Sequence, residues 1–155
     1  MPELPEVETI KRGLAKTIIG KTITDFTCDT KKLMNHPLPF YRKTLKGLKI
    51  LKLGRRAKMI IISLANDWNI LGHMKMTGQL VYRKGPNRFT HAVFTFTDGT
   101  HLYFNDVRKF GWLRLYKKAE LAKQLEHGLV PEPLDKSFTL EVFKNELKKR
   151  PNNKI

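Results

Sequence analysis

The chain has 155 residues, room for one domain with a real core. Its 30 Lys+Arg against 14 Asp+Glu give a net charge of +16, and 41% of residues are hydrophobic. That combination excludes global disorder and points to a polyanion, most often nucleic acid, with an anionic membrane surface as the rival. Cys28 is the single cysteine, which excludes an internal disulfide framework and any zinc site built on several thiolates. No apolar run reaches membrane-spanning length, and the acidic N-terminus is no secretory signal. A cytoplasmic location without a membrane partner is the default expectation.

Pro5 suits the first turn of a helix, Glu6 and Glu8 its positive end, and Val7, Ile10, Leu14 and Ile18 continue at helical spacing up to Gly20. Short segments of strand character follow. Ile23–Cys28 is one, His36-Pro37-Leu38-Pro39 reads as a loop, and Leu48–Leu53 and Lys58–Leu64 flank Gly54-Arg55-Arg56. Ile70–Tyr82 holds Gly72 and Gly78, both unfavourable to a helix. Ala92–Thr97 and Thr100–Phe104 bracket Asp98-Gly99, a strong hairpin turn, and Gly111–Lys117 is a further strand. Two helices close the chain: Ala119–His127, stopped by Gly128, and Leu140–Arg150, stopped by Pro151, the second with an apolar stripe of Leu140, Phe143 and Leu147. One helix, many strands, then helices predict an α+β domain built around an antiparallel β-sandwich.

Acids are scarce, yet three of the fourteen fall within the first eight residues, at Glu3, Glu6 and Glu8. They lie beside Pro2. With Met1 trimmed, the Pro2 nitrogen is a secondary amine of lower basicity than a lysine amine, able to attack an electrophilic carbon and form an iminium. A neighbouring carboxyl group is placed to move protons there. The plainer reading is a tidy N-terminus whose glutamates complement the helix dipole. From Lys31 to Ala65 there are ten Lys/Arg and no acid, which fits a phosphate-binding face. In Leu71–Leu80 a flexible apolar Met76 stands among glycines, and in Asn105–Gly111 the cation Arg108 and the aromatic Phe110 share a loop. Enzymes that extract a base from a duplex need wedges of this kind. Core packing for Met76 and Phe110, with a phosphate contact for Arg108, is the alternative.

Pro2-Glu3-Leu4-Pro5-Glu6-Val7-Glu8-Thr9 resembles the N-terminus of the formamidopyrimidine-DNA glycosylase family, bifunctional base-excision repair enzymes that remove oxidised purines and nick the abasic site. Arg55-Arg56-Ala57-Lys58, His73–Leu80, Asp98-Gly99 through Asp106–Gly111, and Pro131-Glu132-Pro133-Leu134 resemble further family motifs, in order and at suitable spacing. Leu4 favours the oxidised-purine branch over the endonuclease VIII-like one. The resemblance implies a sandwich of two antiparallel sheets with flanking helices. It assigns Pro2 as the nucleophile forming a Schiff base and Glu3 as the acid/base that helps open the sugar ring. Glu6 would position substrate or water, and Lys58 would donate a proton in β-elimination. It assigns Met76, Arg108 and Phe110 to the void left by a flipped nucleotide, and His73 and Lys75 to phosphate contacts. The implied partner is damaged double-stranded DNA, bound by a monomer located with the nucleoid.

The chain also departs from the family. The family often carries two histidines, two residues apart, before the hairpin, the first touching DNA; here the first position is Phe89 and only His91 remains, so the resemblance leaves His91 as the expected DNA contact there. Arg150 stands near the place of a later basic DNA contact. The family continues into a helix–two-turn–helix module and a four-cysteine zinc finger. The expectation is therefore a catalytic domain over residues 1–150, a truncated linker over 151–155, no cofactor or metal in this chain, and impaired excision by the chain alone. The rival readings are a non-enzymatic basic DNA-binding fragment and a tautomerase using an N-terminal proline as general base.

Overall fold

The computed structural model describes residues 1–127, 131–133 and 135–149. Arg150 and the expected linker over 151–155 lie outside the described residues, as does Gly128.

Helix α1 spans Leu4–Ile18, with Pro5 in its first turn where no backbone N–H is required. Its apolar spacing buries Val7, Leu14 and Ile18, each contributing roughly 1.5–3 kcal/mol by leaving water. Strand β1 is Ile23–Cys28. Helix α2 then occupies Leu38–Leu45, part of which the sequence reading gave to a loop. The two prolines explain the misreading: Pro37 is the N-cap and Pro39 lies in the first turn, so a proline-rich stretch here opens a helix. Tyr41 and Leu45 anchor α2. Tyr41 packs on Phe26 at 5.3 Å between ring centroids, and its hydroxyl lies 2.9 Å from the Leu113 carbonyl, to which it donates.

Strand β2 runs Ile50–Arg56 and β3 Met59–Leu64. Gly54-Arg55-Arg56 is therefore strand, not connection: Gly54 pairs with Ile61 and Arg56 with Met59. The reversal falls on Ala57 and Lys58, with Ala57 at φ +50°, a left-handed turn conformation that a sequence without glycine there does not advertise. The Ile70–Tyr82 segment is two strands, β4 over Trp68–His73 and β5 over Gly78–Tyr82, separated by the Met74–Thr77 turn. Strands β6 (Thr90–Phe96) and β7 (His101–Asp106) form the expected hairpin, with Gly99 at φ +78°. Strand β8 covers Trp112–Lys117, helix α3 Lys118–Glu126 and helix α4 Leu140–Lys149.

The strands form two antiparallel four-stranded sheets, in orders β1-β6-β7-β5 and β2-β3-β4-β8. Inward-facing residues of both, among them Phe26, Ile60, Ile62, Phe94, Phe96, Phe104 and Leu113, make one apolar core. Helix α1 rests on β2 and β3 of one sheet and reaches β5 of the other. That placement carries the start of the chain to where the β2–β3 turn and the β4–β5 turn meet. The fold is the α+β sandwich that the sequence predicts. Helix α4 has no buried residue, and its stripe of Leu140, Phe143 and Leu147 is exposed.

Candidate active site

Because α1 begins at Leu4, Pro2 sits half-buried just before it and Glu3 takes the N-cap. The Glu3 backbone N–H donates to Glu6 Oε2 at 3.0 Å, satisfying a donor that a helix start otherwise leaves open. Glu6 thereby fixes how the chain enters the helix and where Pro2 stands. One of its oxygens is committed to backbone, so its evident work is positioning.

The Glu3 carboxylate meets Lys58 Nζ at 2.5 Å. Both groups are partly exposed, and such a pair adds only about 0–1 kcal/mol to folding; it opens at little cost when a substrate arrives. Lys58 follows Ala57 in the β2–β3 turn, and that turn is pinned from several sides. The Ala57 N–H donates to Glu132. The Ala57 carbonyl accepts from Arg55 Nη1 at 2.9 Å. Arg55, itself only 12% exposed, also pairs with Glu8 of α1 at 3.0 Å and with Glu132 at 3.2 Å. Glu8 is held down to about 2, first by Lys11, then by Arg12 and Arg55. One guanidinium thus ties α1, the Lys58 turn and the Pro131–Pro133 segment together. The sequence reading quoted Arg55 and Glu132 within motifs but gave neither a role. The signal was there: an acid is rare in this chain, and one inside Pro-Glu-Pro is restricted in backbone.

Across from Pro2 stands the β4–β5 turn. Pro2, Glu6, Met76, Thr77 and Gly78 line one open cleft of about 350 Å³. Met76 is 43% and Phe110 55% exposed, so the core-packing alternative fails for both. The neighbouring Met74 fills the core instead, at 1% exposure. Arg108 is exposed on the loop after β7, its guanidinium 4.9 Å from the centre of the Phe110 ring. Three side chains of complementary kind therefore project from two adjacent loops. A larger hollow of about 600 Å³, lined by Cys28, Asp29, Asn35 and His36 among others, includes none of these groups.

The two histidines of the sequence reading are placed differently from each other. His91 is buried, with Nδ1 3.0 Å from Asp29 Oδ1 and Nε2 3.0 Å from the Asp106 carbonyl oxygen. Both ring nitrogens are engaged inside the protein, so His91 braces the β7 end and does not face DNA; this corrects the sequence reading. His73 accepts the Lys75 N–H at Nδ1, 3.0 Å away. Burial, then the charges of Lys75 and Lys58, push it down to about 4. At neutral pH it offers a neutral N–H and no charge. Lys75 is exposed, at φ +53° in the turn. Arg150 lies outside the described residues. No group of three or more His, Cys, Asp or Glu is placed to hold a metal among the described residues.

Fold and site together define a basic β-sandwich domain whose chemically equipped N-terminus shares a cleft with Met76, with Arg108 and Phe110 projecting from the neighbouring loop. The family model described as the formamidopyrimidine-DNA glycosylase N-terminal domain matches residues 1–113, and the chain belongs to that family. It is 41% identical over 160 residues to the formamidopyrimidine-DNA glycosylase of Ligilactobacillus salivarius, covering 97% of this chain and 56% of that protein. It is 40% identical over 156 residues to that of Pelotomaculum thermopropionicum, with the same coverages. Among solved structures, the Lactococcus lactis Fpg bound to DNA containing an abasic site superposes with a TM-score of 0.87 at 30% identity, over 96% of this chain and 57% of that one. MutM in complex with DNA containing carbocyclic 8-oxo-G superposes equally well, with a TM-score of 0.87 at 30% identity over 96% and 57%. The chain spans little more than half the length of these relatives. No helix among the described residues is long and apolar enough to cross a membrane.

Proposed function

We propose that this chain supplies the catalytic half of a base-excision repair enzyme: a DNA glycosylase for oxidised purines, formamidopyrimidine and 8-oxoguanine, with AP-lyase strand cleavage through a Pro2 Schiff base. The observation that carries the reading is that Pro2 shares one cleft with Met76 while Glu3, its chain neighbour, is paired with Lys58. With Met1 removed, the Pro2 amine attacks the anomeric carbon and the base departs with its bonding electrons. Glu3 takes up the proton that the attacking Pro2 nitrogen sheds and passes it to the ring oxygen as the sugar opens to an iminium. The adjacent carbon then loses a proton to water, the 3′ phosphate leaves taking a proton from Lys58, and water releases the product from Pro2. Met76, Arg108 and Phe110 fill the space of the extruded nucleotide, and Lys75 and the lysine-rich surface hold phosphates. The partner is damaged duplex DNA, bound by a monomer beside the nucleoid, and no cofactor takes part in this half. A tautomerase would need an enclosed small-molecule pocket at Pro2, whereas the cleft there is open. A purely binding role leaves the Glu3–Lys58 pair beside Pro2 without a task.

Borohydride trapping on an abasic duplex tests the proposal. The Met1-free chain is expected to form a covalent adduct, and a chain with Met1 retained, whose Pro2 nitrogen is an amide, is expected to form none. Equal trapping by both would move the nucleophile from Pro2 to another amine, a lysine or the Met1 amine, and overturn the assignment.

A further inference from the structure

Resting on the wedge assignment above, we propose that Thr77 and Asp106 are positioning residues that lock the Met76 turn to the Arg108–Phe110 loop, so that the three side chains enter a duplex as one unit.

Asp106 ends β7 at 1% exposure, opposite Gly78, the first residue of β5. Its Oδ1 accepts the Thr77 hydroxyl and, at 3.1 Å, the Arg108 N–H. Its Oδ2 accepts the Gly111 N–H at 2.7 Å. The Thr77 oxygen in turn accepts the Arg108 N–H at 3.0 Å. One carboxylate and one hydroxyl therefore close a ring of hydrogen bonds around the bases of both loops, joining residues 29 apart in sequence. Hydrogen bonds to an ionised acceptor in a buried setting are the strong ones.

The backbone around this ring has no slack. A Cβ on Gly78 would stand 2.5 Å from the Met74 carbonyl oxygen, and one on Gly111 would stand 2.7 Å from the Phe104 ring. The roots of the loops are thus fixed by close approach, while the tips project into solvent. Neither Thr77 nor Asp106 reaches out with the tips. Asp106 ties its own loop through the Arg108 and Gly111 N–H groups, and the Thr77 hydroxyl, bonded to Asp106 and to the Arg108 N–H, runs from one loop to the other, which is more than either turn needs for itself. Side chains inserted between base pairs must keep their mutual spacing while the stack pushes back, and that demands a rigid root.

The test uses the 155-residue chain with two duplexes, one carrying an abasic site beside 2-aminopurine and one intact. Binding ratios and fluorescence at saturating protein are read well below the unfolding midpoint of each variant. Thr77→Val keeps the shape and removes the hydroxyl. It is expected to lower the abasic-over-intact binding ratio about tenfold and to weaken the 2-aminopurine response. Thr77→Ser, which restores the hydroxyl, is expected to recover both. Met76→Ala and Phe110→Ala serve as wedge controls. If Thr77→Val matches the parent while the two controls lose the ratio and the response, the coupling is refuted and the wedge reading stands. If every variant matches the parent, the wedge reading falls and the coupling with it.

Discussion

Truncating Glu132 to alanine separates the Lys58 turn from its supports. The Glu132 carboxylate is 17% exposed and receives the Ala57 N–H, Arg55 at 3.2 Å and Arg56 at 3.4 Å. A hydrogen bond to a charged group contributes roughly 1.5–3 kcal/mol, and bonds sharing one acceptor do not add. Removing one partner of a buried ion pair costs about 3–5 kcal/mol when the other is left alone. Arg55 is not left alone, because Glu8 stays at 3.0 Å and the Ala57 carbonyl at 2.9 Å. The expected loss is therefore about 2 kcal/mol, or about 4–8 °C in the thermal midpoint for a chain of this size. Freed of its anchor, the left-handed Ala57 relaxes and Lys58 loses its place beside Glu3. Borohydride trapping on an abasic duplex should slow by about tenfold for a displacement of this kind. Glu132→Gln, which keeps an acceptor for the Ala57 N–H, should fall between. A midpoint within about 1 °C of the parent would show that the clamp carries no strain-bearing role, and normal trapping at a lowered midpoint would show that Lys58 needs no positioning.

Three other outcomes are expected. His73 is depressed to about 4, whereas in the unfolded chain it titrates near 6.5. Below about pH 6.5 the unfolded state therefore takes up a proton that the folded state refuses, and stability declines as pH falls from about 6.5 to about 4. His73→Asn, which still offers an acceptor to the Lys75 N–H, should flatten that decline in urea midpoints at pH 7 and pH 5; Glu8, held at about 2 against its ordinary 4.5, adds acid sensitivity from about pH 4.5 downward, below both of those pH values. An unchanged slope in His73→Asn would assign the decline to other groups. Gly78→Ala forces a Cβ to 2.5 Å from backbone and should destabilise by at least about 2 kcal/mol, read by chemical denaturation; a neutral result would mean that the β4–β5 turn yields. Finally, affinity for intact duplex should fall linearly on a log–log salt plot, and Arg108→Ala should reduce that slope by about 1, whereas Phe110→Ala should leave the slope alone and lower only the preference for an abasic site.

Patterns within one element were legible in the sequence. The α1 stripe of Val7, Leu14 and Ile18, the Ile23–Cys28 strand and the Asp98-Gly99 hairpin all follow from periodicity and turn chemistry local to a few residues. The candidate site was suggested by the resemblance of the Pro2–Thr9 stretch and of the loops carrying Met76, Arg108 and Phe110 to family motifs; by residue type alone Met76 and Phe110 suit a core equally well, and only the structure shows them exposed. Local rules failed where a residue obeyed a distant partner. The prolines at 37 and 39 suggested a loop, but Tyr41 gains enough burial against Phe26 and Leu113 to draw the stretch into a helix. Gly54 read as a break, but pairing with Ile61 keeps it in β2, and Glu132, some 75 residues away, holds the turn at Ala57 instead. His91 resembled a surface contact until Asp29 and the end of β7 closed over it. Whether a polar side chain faces solvent, braces a loop or meets a substrate depends on which groups the packed sheets bring within 3 Å of it. That neighbourhood is set by the joint burial of many apolar residues and not by any stretch of sequence around the side chain itself.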